Sequence, residues 1–249
     1  MIVPAFGDVP PAAAIDAAAA ALRASQIIGM PTDTVYGIAA RFDDDAATAA
    51  LFRAKQRPAD LELPVLVADA EQAAALGHIG RAAVALIQCF WPGALTLVVR
   101  RRPTVRASLG ADANTIGLRC ADHPVAQTIC RAVGPLATTS ANRHGESPGV
   151  TAAAVERSLG AELALVLDAG RCDGLPSTVV DVTGQAPGCS GKVELPGRRC
   201  STPYSSRCGR QRRRQGGAAQ RDLGRRTWNF EHPSVVKCAH CWLGSQPTI

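Results

Sequence analysis

The sequence predicts an α/β fold with a layered sheet. Short apolar runs typical of buried strands alternate with longer helical segments along residues 12–182. The 249 residues are 47% hydrophobic and 4% aromatic, which fits one Ala-rich globular domain of ordinary size. After residue 184 neither a period of two nor a period of 3.6 is sustained. We therefore predict a domain over residues 1–184 and an irregular tail over residues 185–249.

Six helices are predicted from their start and stop signals. Pro10-Pro11 precede the first, because proline suits an opening helical turn. The acidic run Asp43-Asp44-Asp45 precedes the second, where negative charge complements the helix dipole. Trp91-Pro92-Gly93 ends the fourth, and His123-Pro124 opens the fifth. The predicted helices cover residues 12–24, 46–54, 69–77, 81–91, 124–133 and 151–159.

Seven short apolar runs lie between these helices and read as strands. They have the length of buried strands, and most of them are flanked by turn residues. The predicted strands cover residues 26–30, 64–68, 95–101, 114–119, 136–139, 163–168 and 177–182.

Polar clusters stand at the ends of several strands. Because ligands of open α/β sheets bind beyond the carboxyl ends of the strands, we expect these clusters to converge on a pocket for a polyanion. Each cluster also has a simpler interpretation, such as a turn, a strand start or an Arg119–Asp122 ion pair. The clusters are residues 32–36, Lys55 with Arg57, Thr115 with Arg119, residues 138–142, and Ser177-Thr178.

The positive charge of the chain belongs to its tail. Residues 1–184 hold 15 Lys and Arg against 18 Asp and Glu, a net charge of −3, whereas residues 185–249 hold 12 against 3, a net charge of +9. No apolar run reaches the roughly 18 residues of a membrane span, and the N-terminus lacks the pattern of a signal peptide. We expect a cytoplasmic protein with no membrane partner.

Nine cysteines divide between the two parts. Four spaced thiols in the first 184 residues fit small buried hydrophobes: Cys89, Cys120, Cys130 and Cys172. Cys238 and Cys241 have zinc-ligand spacing, but a structural zinc needs a second pair, and Cys200 and Cys208 are poorly spaced for it. A zinc site is therefore not favoured.

Six motifs, in order and spacing, resemble the YrdC-like threonylcarbamoyl-AMP synthase family over about residues 15–184. The resemblance implies a YrdC-like twisted mixed sheet with flanking helices. The motifs are PTDTVYG at 31–37, KQR at 55–57, WPGALT at 91–96, GLR at 117–119 followed by His123-Pro124, TSAN at 139–142 and STVVD at 177–181.

This resemblance implies a nucleotidyltransferase that converts L-threonine, bicarbonate or CO2, and ATP to threonylcarbamoyl-adenylate and pyrophosphate. The product would serve tRNA modification, with tRNA and tRNA threonylcarbamoyl-transferase proteins as downstream partners. Mg2+ is expected with ATP, although no carboxylate pair identifies its ligands. Such chemistry needs positioned reactants and charge neutralisation rather than a protein nucleophile, so no catalytic side chain is assigned.

The family's site residues carry over onto matching positions. L-threonine would be held by Thr34, Arg119 and Ser177, with Arg119 contacting its carboxylate. The set implied for ATP is Lys55, Arg57, Thr115, Ser140, Asn142 and Ser147. The sequence departs from the family at Ala68, where many members carry a histidine, and in a somewhat longer loop at residues 58–63.

A larger departure begins at Gly188, where the family continues with an Arg-Glu-Gly segment whose arginine reaches the ATP phosphates. One back-translation of residues 188–200, with a single base restored in front, reads Arg-Leu-Phe-Arg-Glu-Gly-Arg-Val-Ala-Trp-Glu-Thr-Leu. That family-like ending puts arginine in the place of Gly191. We therefore hypothesise that a one-base loss shifted the reading frame near codon 188.

Two other functions compete with synthesis. A YrdC-like module could bind double-stranded RNA or tRNA with weak or no catalysis, using the tail arginines Arg207, Arg210 and 212–214 in a salt-dependent way. A relative that transfers carbamoyl groups in hydrogenase maturation shares this domain. The lack of an acylphosphatase-like segment and of zinc-finger pairs argues against that relative.

Overall fold

A computed structural model describes residues 1–56, 61–110 and 112–184, together with the backbone of residues 235–236. Six helices lie in this part of the chain, within two residues of their predicted bounds. They are α1 (Ala12–Arg23), α2 (Asp45–Lys55), α3 (Ala70–Leu76), α4 (Arg81–Phe90), α5 (Pro124–Val133) and α6 (Ala152–Leu159).

Polar side chains cap several helix starts. Asp44 accepts a hydrogen bond from the Ala47 amide at 3.0 Å, and Asp69 accepts one from Gln72 at 2.9 Å. Thr151 does the same for α6, and His123 caps α5 ahead of Pro124. These side chains satisfy amides that have no partner within the helix, which explains why the predicted starts were accurate.

In the described residues ten strands form one mixed sheet, ordered β1-β8-β2-β3-β7-β4-β6-β5-β9-β10. The central pairs β2–β3, β3–β7 and β7–β4 are antiparallel, whereas β4–β6 and β5–β9 are parallel. The strands are β1 (Ile2–Pro4), β2 (Ile28–Met30), β3 (Gly37–Arg41), β4 (Val65–Leu66), β5 (Leu95–Arg100), β6 (Thr115–Arg119), β7 (Leu136–Ser140), β8 (Val166–Asp168), β9 (Thr178–Asp181) and β10 (Val235–Val236).

The mixed α/β fold is therefore confirmed, and all seven predicted strands are present. Strands β1, β3 and the two-residue β10 were not predicted. β3 is Gly-Ile-Ala-Ala-Arg, and alanine and glycine have low strand propensity, so its place between two strands decides its conformation. β1 is three residues long and ends at Pro4, which an edge strand tolerates.

Two hydrophobic cores lie among the buried residues. One joins strand residues to helices α2, α3, α4 and α6, and the other joins strand residues to α1 and α5. Neighbouring strand residues divide between them: Ile38 belongs to the first core and Ala39 to the second. Successive side chains of a strand point to opposite faces, so the helices form two layers with the sheet between them.

The described helices include none that is both long and apolar enough to cross a membrane. The predicted division at residue 184 stays a prediction, because the tail lies outside the described residues apart from the backbone of β10.

Candidate functional site

A cavity of about 390 Å³ lies across six consecutive strands, from β3 to β9. Thr96 of β5 and its ladder partner Val179 of β9 both line it, on the face opposite to Leu95 and Leu97, so the floor is one face of the sheet. Its volume is typical of small-molecule sites, which span about 300–1,000 Å³. Its hydroxyl-bearing or cationic side chains are Thr32, Thr34, Tyr36, Thr96, Arg119, Thr138, Thr139, Ser140, Ser147 and Ser177.

Residues from four of the five predicted polar clusters converge, but on a face of the sheet rather than beyond its carboxyl ends. Antiparallel neighbours send their carboxyl ends to opposite edges, so a mixed sheet has no common carboxyl edge. Leu136 belongs to the core with α1 and α5, whereas Thr138 and Ser140, further along β7, line the cavity. Loop residues, including Val35, Gly145 and Pro176, complete the wall.

Arg119, at the end of β6, is 8% exposed and is held by three neighbours. Its Nη2 donates to Asp33 Oδ1 at 2.5 Å, both Nη atoms lie 3.2 Å from Thr34 Oγ1, and Nε donates to the Gly93 carbonyl at 3.2 Å. Burial lowers the pKa of Arg119, and the Asp33 charge opposes that shift. The guanidinium therefore stays charged at neutral pH and holds a fixed orientation at the cavity wall.

The loop between β2 and β3 is held by its own threonines. Thr32 Oγ1 donates to the Val35 carbonyl at 2.6 Å and accepts from the Thr34 amide at 3.2 Å. Gly174 packs on this loop, since its amide donates to the Thr34 carbonyl at 2.7 Å and a Cβ there would lie 2.4 Å from the Asp33 carbonyl oxygen. The segment before Ser177 thus fixes the loop that carries Thr34.

Tyr36 provides a second tie between these two segments. The Tyr36 side chain is fully buried, and its hydroxyl donates to the Gly170 carbonyl at 2.7 Å. Burial raises the pKa of Tyr36, so the phenol remains a neutral donor. The tyrosine in the motif therefore has a structural role.

Lys55 and Asn142 lie beneath the cavity and contact its wall through Ser140. The Lys55 ammonium is fully buried and donates to Ser140 Oγ at 2.8 Å and to Asn142 Oδ1 at 2.9 Å. Asn142 donates in turn to the carbonyls of Arg143 and Glu146 at 2.8 and 2.6 Å. This network joins α2, the end of β7 and the loop that carries Ser147, which is exposed at the cavity wall.

Five of the nine predicted site residues line the cavity: Thr34, Arg119, Ser140, Ser147 and Ser177. Arg57 lies outside the described residues. The tail arginines of the RNA-binding hypothesis, the Cys238 and Cys241 pair and the frameshift segment lie outside them too.

The structure does not bring Thr115 to the cavity. Thr115 begins β6 and Arg119 ends it, so at about 3.3 Å per residue the two lie about 13 Å apart. The Thr115 hydroxyl donates instead to Asp112 Oδ2 at 3.0 Å. Thr115 therefore fixes a turn before β6, and its contact with ATP stays a prediction.

Position 68, where the sequence departs from the family, does not line the cavity either. Ala68 is buried, and its amide donates to Gln72 Oε1 at 2.9 Å. Three of the four core cysteines are buried free thiols, as predicted: Cys120, Cys130 and Cys172. The prediction was wrong for Cys89, which is half-buried and disulfide-bonded. Burial raises the pKa of Cys120 to about 11, so that thiol is protonated at neutral pH. The described residues contain no group of three or more His, Cys, Asp or Glu placed to hold a metal ion.

Three residues that the structure places at the site were given no specific contact from the sequence, although two of them, Asp33 and Thr138, belong to the predicted polar clusters. Asp33 pairs with Arg119, Thr96 faces Ser177, and Thr138 lines the cavity floor. Asp33 and Thr96 lie inside motifs already singled out, and Thr138 borders one. Their presence in these motifs was a signal, but their contacts depend on residues about 80 to 100 positions away.

The fold and the cavity define a class: a mixed-sheet α/β protein with a hydroxyl-rich small-molecule site that contains one buried arginine. The family model named Sua5_yciO_yrdC, described as "Telomere recombination", matches residues 20–189. The chain belongs to this Sua5/YciO/YrdC family, which confirms the resemblance found in the motifs.

Two relatives are similar over most of the described chain. A Mycobacterium tuberculosis protein with threonylcarbamoyl-AMP synthase in its name is 43% identical over 175 residues, covering 70% of this chain and 81% of that protein. The threonylcarbamoyl-AMP synthase of Chromohalobacter salexigens is 35% identical over 170 residues, covering 66% of this chain and 90% of that protein. The expected enzyme class, a nucleotidyltransferase, is thus confirmed through the relatives' names.

The Pyrococcus abyssi Sua5 structure complexed with L-threonine has a TM-score of 0.70 and 31% identity. The match covers 73% of this chain and 54% of that one, so this chain spans about half the length of that relative.

Proposed function

We propose that this chain makes threonylcarbamoyl-adenylate from L-threonine, bicarbonate or CO2, and ATP, and releases pyrophosphate. The observation that carries the proposal is the buried Arg119 guanidinium beside the Thr34 hydroxyl in a hydroxyl-lined cavity. A fixed cation with an adjacent hydroxyl suits the carboxylate of an amino acid. Membership of the family and a relative's complex with L-threonine support the same substrate.

The reaction has two bond-forming steps. Bicarbonate takes up a proton and loses water to give CO2. The threonine amine attacks the carbon of CO2, so that an N–C bond forms, a C=O π bond becomes the carbamate oxyanion, and the amine proton leaves to solvent. A carbamate oxygen then attacks the α-phosphorus of ATP, and the bond to the β-phosphate oxygen breaks to release pyrophosphate. The protein's part is to hold both substrates in line and to offset negative charge.

Each substrate has its own set of side chains. Arg119, Thr34 and Ser177 would hold L-threonine. The buried Lys55 ammonium would place positive charge behind Ser140, close to the ATP phosphates, while Asn142 positions that ammonium. Ser147 would contact the nucleotide from the wall, and Arg57 stays a proposed ATP contact. Mg2+ would enter with ATP as its counter-ion.

The product is a mixed anhydride, which must be consumed by a transfer reaction. We propose that tRNA threonylcarbamoyl-transferase proteins use it to modify a tRNA adenosine, and that the reaction takes place in the cytoplasm.

The proposal is tested on the purified full chain with ATP and bicarbonate, with and without L-threonine. Pyrophosphate release that requires threonine is the expected result, and threonine-independent release or none would count against it. Arg119→Ala should abolish the activity, whereas Arg106→Ala, at an exposed arginine outside the cavity, should not. Circular dichroism of both variants separates a lost contact from a lost fold.

A further inference from the structure

Two hydroxyl groups face each other at one end of the cavity. Thr96 Oγ1 on β5 lies 3.2 Å from Ser177 Oγ, just before β9. Both residues line the cavity. Within the described part of the chain, each hydroxyl has only the other as its hydrogen-bond partner.

The strand pattern places Thr96 on the cavity face. Leu95 and Leu97, on either side of it, are fully buried in the core that includes helices α2, α3, α4 and α6. Alternation therefore turns Thr96 to the opposite face, where it is 2% exposed. Its partner across the ladder, Val179, also lines the cavity, as does Ser177 two residues before it.

The chemistry of the pair is that of a donor and an acceptor together. Each hydroxyl has one proton and two lone pairs, and one proton is used between the two oxygens. Whichever oxygen donates, the other keeps a proton that can point into the cavity, and lone pairs remain available. A ligand hydroxyl could match both functions. A ligand methyl group would leave a buried hydroxyl unmatched, which is costly.

We propose that Thr96 is a positioning residue that fixes the Ser177 hydroxyl, and that the pair selects a hydroxyl-bearing amino acid over its methyl isostere. This inference rests on the proposed function and deepens it, because it assigns the discrimination between L-threonine and L-valine to one hydrogen bond. The strand ladder between β5 and β9 sets the distance between the two side chains.

The test compares Thr96→Val, which keeps the shape and removes the hydroxyl, with Thr96→Ser, which keeps the hydroxyl. Losing one neutral hydrogen bond commonly changes affinity about 3- to 10-fold. We expect Thr96→Val to raise the KM for L-threonine by that factor with kcat within about 2-fold. Inhibition by L-valine should be unchanged or stronger, and Thr96→Ser should resemble the parent chain.

Two controls separate positioning from a general structural effect. Thr48→Val removes a hydroxyl from a fully buried threonine of α2 outside the cavity and should leave the KM unchanged. In a Ser177→Ala background, Thr96→Val should add little, because its partner is already absent. An unchanged KM in Thr96→Val, or a full additional effect in that background, would overturn the inference. If Thr96→Val does not fold, Thr96→Ala is measured in its place.

Failure of the proposed function would appear differently. If the parent chain releases no pyrophosphate, equilibrium binding of L-threonine and L-valine is measured on the same variants. Threonine binding that weakens in Thr96→Val and returns in Thr96→Ser would support the inference, although the proposed synthase function would be rejected. Binding equal in all variants, or absent from the parent chain, would reject it.

Discussion

Arg119 and Asp33 form a buried ion pair, with 2.5 Å between Nη2 and Oδ1 and with side chains 10% and 14% exposed. The pair joins the end of β6 to the loop after β2, so it fixes the geometry of the cavity wall as well as its charge. Because one partner without the other would be a buried charge, the two residues act as a unit.

Replacing Asp33 with asparagine should therefore destabilise the protein. The change keeps a hydrogen-bond acceptor but removes the charge that offsets Arg119, at a cost of about 2–3 kcal/mol. Urea unfolding measures this loss in the free energy of unfolding. The matched control is Asp43→Asn, which removes the partner of Arg41 in a more exposed pair and should cost under about 1 kcal/mol. If Asp33→Asn and Asp43→Asn lower the free energy of unfolding equally, burial does not add to the contribution of the Arg119 pair to stability.

Lys55→Met should remove most of the proposed activity. Methionine fills a similar volume but cannot donate to Ser140 and Asn142, so both the charge near the phosphates and the tie to Ser140 are lost. We expect a decrease in kcat/KM for ATP of about 100-fold or more. Arg53→Ala, on the exposed side of the same helix, is the control and should retain activity. A Lys55→Met chain with parental kinetics contradicts the assignment.

Gly174→Ala should disturb the loop that carries Thr34. No left-handed backbone is involved; the new Cβ would lie 2.4 Å from the Asp33 carbonyl oxygen, and backbone cannot yield as a flexible side chain can. We expect a lower melting temperature and a higher KM for L-threonine. Gly184→Ala, where a Cβ meets nothing within 4 Å, should change neither. The steric explanation fails if the two variants melt alike.

His123 should make stability depend on pH. Burial lowers its pKa below the ordinary 6.5, while Asp33 and Asp122 oppose the shift. As the pH falls through 6.5, the unfolded chain takes up a proton that the folded chain resists, so the free energy of unfolding decreases. Protonation also removes the Nδ1 acceptor that caps the Val125 amide at 3.2 Å.

The measurement is urea unfolding at several values between about pH 7.5 and 5.5. His123→Asn keeps a capping side chain without a titrating group, so its stability should fall less over this range. If the free energy of unfolding falls equally with decreasing pH in the parent chain and in His123→Asn, His123 is not the cause of the pH dependence.

The frameshift hypothesis concerns the tail and is tested at the gene. The family match ends at residue 189, next to codon 188. Genomic DNA across codons 180–200 should allow the family-like ending once a single base is restored, and the restored protein should be more active than this chain. Codons incompatible with that ending would dismiss the hypothesis.

The sequence predicted the helices and most strands because their signals are local. Asp44, Asp69 and Thr151 mark helix starts by bonding amides three residues away. β3 had no such signal, because its alanines become a strand only between β2 and β7.

The candidate site was predictable in composition but only partly in contacts. Motifs identified Thr34 and Arg119, yet the Asp33 partner lies 86 positions from Arg119, a pairing that only the folded sheet creates. Thr115 lies at the other end of β6 from Arg119, because a motif gives order along the chain and not which end of a strand meets the cavity.

The most direct test of the account uses 13C-labelled bicarbonate with ATP and L-threonine, with the product analysed by mass spectrometry. We expect threonylcarbamoyl-adenylate that carries the label, formed by the parent chain and lost in Arg119→Ala. Folded parent chain that yields no such product, or yields an adenylate without the label, would contradict the central claim.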